Sequence, residues 1–95
     1  MKIRLTRNIY YSAPGEGLTS SMVYKDYDWE LVPILGAVVD DSAWYRNDIT
    51  KIESININAE EGNIYYVELN PKEVGVITDV KRYVEIVKHH GWNEY

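Results

Sequence analysis

Between Asp26 and Leu31 acidic and apolar residues alternate without a break, with Asp26, Asp28 and Glu30 on one side and Tyr27, Trp29 and Leu31 on the other. Side chains of an extended strand point to opposite faces in turn, so the pattern predicts a half-buried strand with one wet face. A helix would scatter the three carboxylates around its circumference. Residues 2–11 repeat the alternation: Ile3, Leu5, Ile9 and Tyr11 share one face, and Lys2, Arg4, Thr6, Asn8 and Tyr10 share the other. Ala13-Pro14-Gly15-Glu16-Gly17 lies between them and supplies turn chemistry, proline fixing φ and glycine accepting positive φ. The expectation is an antiparallel hairpin of residues 2–11 and 21–32 closed by a loop of about eight or nine residues.

Charge and packing suggest its register. With Lys2 opposite Glu30 and Arg4 opposite Asp28, Ile3 meets Trp29 and Leu5 meets Tyr27. Each such cross-strand pair adds about 0.2–1 kcal/mol. A slip by one residue would turn the core face to water, whereas a slip by two keeps the alternation. Arg7 then falls on the apolar face opposite Lys25, which calls for a bulge or for that end of the hairpin to leave the core.

Further on, Pro33 ends the second strand and Gly36 marks a bend. Ala37-Val38-Val39 reads as a short third strand, and Asp40-Asp41-Ser42 and Arg46-Asn47-Asp48 read as turns. Ile49–Asn58 reads as a fourth strand with a bulge near Ile52–Glu53, where the isoleucine spacing changes. After a polar loop, Ile64–Leu69 forms a fifth strand with Tyr65, Val67 and Leu69 on one face. Asn70-Pro71 breaks it and starts a short turn at 71–74. A single helix follows, capped by Thr78 or Asp79, with Ile77, Val80, Val84 and Val87 as its apolar stripe, Tyr83 beside them, and a Lys81–Glu85 pair on its surface. Gly91 stops it and Trp92 folds back as a clasp. The fold class expected is α+β: one domain spanning residues 1–95, with an antiparallel sheet of about five strands and a C-terminal helix packed on one face. An SH3-like barrel plugged by the helix is the alternative.

The net charge of −5 is unevenly distributed: residues 1–25 carry +3, residues 26–68 carry −8, and the remainder is neutral. An acidic middle opposes phosphate binding, so nucleic acid is an unlikely ligand. With no cysteine, disulfides, thiolate catalysis and cysteine-bound zinc fall away. No apolar run approaches the roughly 20 residues that span a bilayer, and no signal-peptide pattern precedes the first strand, so a cytoplasmic address is expected.

Few constellations point to chemistry. Asp26-x-Asp28-x-Glu30 lacks the glycine and glutamate positions of a calcium loop, and same-face carboxylates on a strand stand nearly 7 Å apart. Asp40, Asp41, Asp48 and Glu53 could serve acid–base work only in a cleft that raises a pKa. Adjacent His89 and His90 diverge by about 100° on a helix and suit its negative end better than one metal. Gly15-Glu16-Gly17 has no following helix or lysine to hold a phosphate. No catalytic residue, metal ligand or cofactor is expected. The tyrosines remain: Tyr10, Tyr24 and Tyr66 fall on the outward sheet face with Asp26, Asp28 and Glu30, and together these make the candidate interaction surface. The functional expectation is a non-enzymatic module that binds a protein partner or a second copy of itself. A small carboxylate-dependent enzyme and an acidic mimic of nucleic acid are the competing expectations.

Overall fold

The computed structural model describes residues 1–95. Two long strands, β1 (Lys2–Ala13) and β2 (Gly17–Asp28), form an antiparallel ladder running from Lys2 opposite Asp28 to Ala13 opposite Gly17. After a long irregular segment come β3 (Ile52–Asn58), β4 (Ile64–Leu69), the short β5 (Lys72–Glu73), α1 (Thr78–Lys88) and the short β6 (Asn93–Glu94). The order across the sheet is β3-β4-β1-β2-β6, with β5 also alongside β1. The architecture is α+β. The sheet is open at β3 and β6, so it does not close into the barrel considered above. It is also mixed rather than antiparallel, because β4 and β5 run parallel to β1. The segment 29–51 carries the chain back to about the middle of β1, level with Arg7, and the following hairpin then docks by its second strand.

The hairpin turn is tighter than its sequence suggests, and this moves the register. Gly15 and Gly17 take φ of 80° and 78°, and Glu16 N–H closes onto the Ala13 carbonyl at 3.1 Å. Only Pro14, Gly15 and Glu16 lie between the strands, so pairing slips by two residues from the expected one. Lys2 faces Asp28, Ile3 faces Tyr27, Arg4 faces Asp26 and Leu5 faces Lys25. Parity is retained, as a core-facing stripe requires. Arg7 meets Val23, the ladder has no bulge there, and both are buried. The hairpin leaves the core only past Ile9 and Val23, since no residue from 10 to 22 is buried and Leu18 is 66% exposed. Beyond Trp29, whose N–H reaches the Met1 carbonyl, the alternation no longer describes a strand, and Leu31 is exposed.

On the inner face Ile3, Leu5, Ile9, Val23, Val67 and Leu69 are buried, and Val80, Val84 and Val87 of α1 cover the β1–β2 side. Trp29, Ala37, Val39, Ala43 and Trp44 from the irregular segment pack on the same core. The third strand expected at 37–39 is reduced to one bridge between Val38 and Lys51, and β3 begins at Ile52 rather than Ile49. The bulge falls between Ile52 and Ser54, where the spacing placed it. Instead of a turn, 71–74 contains β5. Ile77 stands at the N-cap with no side-chain cap, and it is exposed rather than part of the stripe. Lys88 pairs with Glu85 and Arg82 with Asp79, in place of a Lys81–Glu85 pair. Gly91 turns the chain at φ 87°, and Trp92 packs into the core as the expected clasp. No helix is long and apolar enough to cross a membrane.

Candidate functional site

The outer sheet face gathers part of the tyrosine surface. Arg4 lies between Asp26 of β2 and Tyr66 of β4. Its Nε and Nη2 donate to the two oxygens of Asp26 at 2.8 and 3.0 Å, and its guanidinium carbon lies 4.2 Å above the Tyr24 ring. The bonded carboxylate raises the Arg4 pKa, and Arg4 in turn lowers that of Asp26. Tyr95 closes the cluster against Tyr24, ring centroids 4.5 Å apart. Tyr66 donates its hydroxyl to Glu61, which pushes its pKa up. Tyr10 sits six residues along β1 from Arg4, about 20 Å away at the usual strand rise, and donates to Glu73. Thus Tyr24, Tyr66 and Asp26 come together, Asp28 lies at the end of the same strand, Tyr10 stands apart, and Glu30 lies outside the sheet.

On the opposite face the two cations in the apolar stripe find their partners in the irregular segment. Arg7 is 1% exposed. Its Nη1 and Nη2 donate to Asp48 at 2.9 and 2.8 Å, its Nε donates to the Asn70 carbonyl at 2.8 Å, and its guanidinium stacks 4.4 Å from the Trp44 ring. Lys72 adds a third donor to Asp48 at 3.0 Å. Asp41 forms a second hub. It accepts from Lys25 at 3.2 Å, from the Ala43 N–H at 2.9 Å, from the Trp92 indole at 3.0 Å and from the Tyr27 hydroxyl. Burial pushes both carboxyls up, but these donors outweigh it and hold each below its ordinary value.

These two aspartates line a hollow of about 570 Å³ with Asp40, Ser42, Trp44 and Arg46. The carboxylate-enzyme expectation needs a proton to give or a free lone pair to take one. Both Asp41 and Asp48 are ionised, so neither has a proton to give; four donors fill the roughly four lone-pair sites of Asp41, and three donors leave about one on Asp48. Their chemistry here is to neutralise buried cations. His90 accepts from Lys25 through its carbonyl and meets Ser42 through Nδ1, while His89 caps α1.

A third surface was not anticipated from the alternation. Leu31, Val32, Ile34, Leu35 and Val38 are 79%, 57%, 69%, 62% and 53% exposed. With Trp29, Pro33, Ala37, Val39 and Ile52 several of them line a hollow of about 520 Å³, whose only charged lining residues are Asp28 and Glu30. The loop is pinned. Gly36 N–H donates to the Ile52 carbonyl at 2.8 Å, Ile52 N–H to Ala37 at 3.0 Å and Val39 N–H to Thr50 at 2.9 Å. Ala37 N–H closes a four-residue turn onto Ile34 at 3.1 Å, with Gly36 at φ 81°, as a type II turn requires. Leu35 therefore stands at a fixed tip beside Ile34. The available signal was composition: Leu31-Val32-Pro33-Ile34-Leu35 is a run of five apolar residues with proline inside it, unsuited to a central strand.

No protein-family profile matches the chain, and no curated protein or solved structure matches it either.

Proposed function

We propose that the chain is a non-enzymatic protein-binding module whose docking surface is the apolar loop Trp29–Val38. The observation carrying this reading is five wet aliphatic side chains within eight residues, around a hollow with two carboxylates and no cation in its lining. Contiguous apolar surface of this kind, bordered by polar groups, is typical of interaction sites. Fully covering one such side chain gains about 1.5–3 kcal/mol, and a pinned turn loses little entropy on binding. Glu30, the lining carboxylate that has no ion-pair partner, favours a partner segment with an aliphatic or aromatic anchor flanked by Lys or Arg.

The tyrosine surface is a weaker docking candidate, because Tyr10 and Tyr66 spend their hydroxyls on neighbouring carboxylates and Tyr24 lies between Arg4 and Tyr95. The nucleic-acid mimic loses ground for a similar reason. Of the ten carboxylates between residues 26 and 68, Asp26, Asp28, Asp41 and Asp48 are already paired with cationic groups.

The test is selection of peptides from a random displayed library on the wild-type chain, followed by binding to the Leu31→Asp/Ile34→Asp double variant. The expected outcome is peptides with an apolar anchor and basic flanks that bind the variant at least tenfold more weakly, while its thermal midpoint is retained. Peptides that bind the variant equally, but lose affinity for Tyr24→Ser/Tyr66→Ser, would move the site to the outer sheet face.

A further inference from the structure

The free edge of β3 carries an inference independent of the loop reading. One side of β3 pairs with β4. On the other, Gly36 and Ala37 bond to Ile52 and Val38 bridges Lys51, but no backbone segment lies along Glu53–Asn58. An open edge presents N–H and C=O groups that a further strand can complete, and folded chains usually guard it with charge, proline, a bulge or a covering segment. Here the bulge, Glu53 and the covering segment all sit at one end, and Ser54-Ile55-Asn56-Ile57-Asn58 contains neither charge nor proline. Ile55 is half-buried and Ile57 is 56% exposed. Both lie on the inner face, opposite Val67 and Tyr65, and α1 packs on β1, β2 and β6 without reaching them.

We propose that a second copy of this chain occupies this edge, the two β3 strands running antiparallel about a two-fold axis at Asn56. In that register Ile55 of each copy meets Ile57 of the other, Ser54 meets Asn58, and Asn56 meets its own counterpart. Apolar residues thus align with apolar and polar with polar, in the self-complementary way that a two-fold interface demands. A shift of two residues one way sets the Glu53 carboxylate against Ile57, and the opposite shift sets Ile55 against Ala59 in the turn. The match in length supports the same register. Pairing from Ser54 to Asn58 brings the partner's turn to where residues 36–39 begin to cover the edge. A highly charged partner strand finds no complementary charge along 54–58.

The chain has no cysteine, which permits a clean test. Sedimentation equilibrium of the wild type should show a dimer, and Ile57→Lys, at an exposed position, should shift it to monomer. Asn56→Cys should form a disulfide-linked dimer under mild oxidation, because residues directly opposite in an antiparallel pair have Cα atoms about 4.5–5.5 Å apart. Ser54→Cys should not, since its counterpart would lie about 13 Å away. A wild type that stays monomeric up to about 1 mM would overturn the proposal. So would cross-linking of Ser54→Cys as fast as Asn56→Cys. The cross-linking arm decides the matter even if Ile57→Lys fails to fold.

Discussion

Arg7 and Asp48, forty-one residues apart, are joined by two parallel hydrogen bonds beneath the Trp44 ring, with the guanidinium 1% exposed. This pair ties the irregular segment to the central strand. Removing Asp48 leaves the buried Arg7 without a counter-charge, which typically costs about 3–5 kcal/mol, whereas removing Arg7 leaves Asp48 paired with Lys72. Asp48→Ala should lower the stability measured in urea by that order and Arg7→Ala by less, whereas Arg7→Met with Asp48→Leu should recover most of the Asp48→Ala loss. Single variants within about 1 kcal/mol of wild type would show that the pair behaves as a surface ion pair.

The two buried indoles should respond to different degrees to the same change. Trp92 donates to Asp41, while the Trp44 N–H is buried with no acceptor. An unsatisfied buried donor carries a desolvation penalty of about 1–3 kcal/mol. Trp44→Phe should therefore be close to neutral in stability, its ring still covering Arg7, and Trp92→Phe should be clearly destabilising. Equal losses in chemical denaturation would contradict the assignment.

Acid should unfold the chain through Asp41 and Asp48. Both titrate below the ordinary 3.8 when folded. With a depressed folded pKa, the unfolded chain binds more protons as pH falls, so the stabilisation is complete above the unfolded value and is lost as pH drops through the folded ones. The urea midpoint should change little between about pH 7 and 5 and fall steeply below about 4. Asp48→Asn, weaker already at neutral pH, should lose less on acidification than wild type.

Gly36 sets the shape of the apolar tip. At φ 81° a β-carbon has open space around it but an unfavourable backbone, a cost of about 1–2 kcal/mol. Gly36→Ala should lower stability by about that amount and weaken binding of a loop-directed peptide. Unchanged binding and stability would mean that the turn does not organise the surface.

The strands of the hairpin, β4, the bulge in β3 and the Trp92 clasp were all legible because each follows from local periodicity or turn chemistry. Register was not. It depended on a three-residue turn that needs two glycines at positive φ, and sequence alone allowed a longer loop. Parallel pairing of β4 with β1 was hidden for a different reason, since it is decided by where the segment 29–51 deposits the chain. Arg7 and Lys25 on the apolar face were visible as an anomaly, and their physical demand was for two buried carboxylates. Asp41 and Asp48 answer it from a segment with no periodicity to place them. Only Leu31 and Val32 of the apolar run 31–35 were placed in the second strand, which Pro33 was expected to end, so the run was not read as one exposed surface.

The most direct test of the loop as the docking surface is an amide NMR titration with the tightest selected peptide. Shift changes confined to Trp29–Val38 and Ile52 are the predicted result. Changes centred on Arg4, Tyr24 and Tyr66, with the loop unmoved, would contradict it.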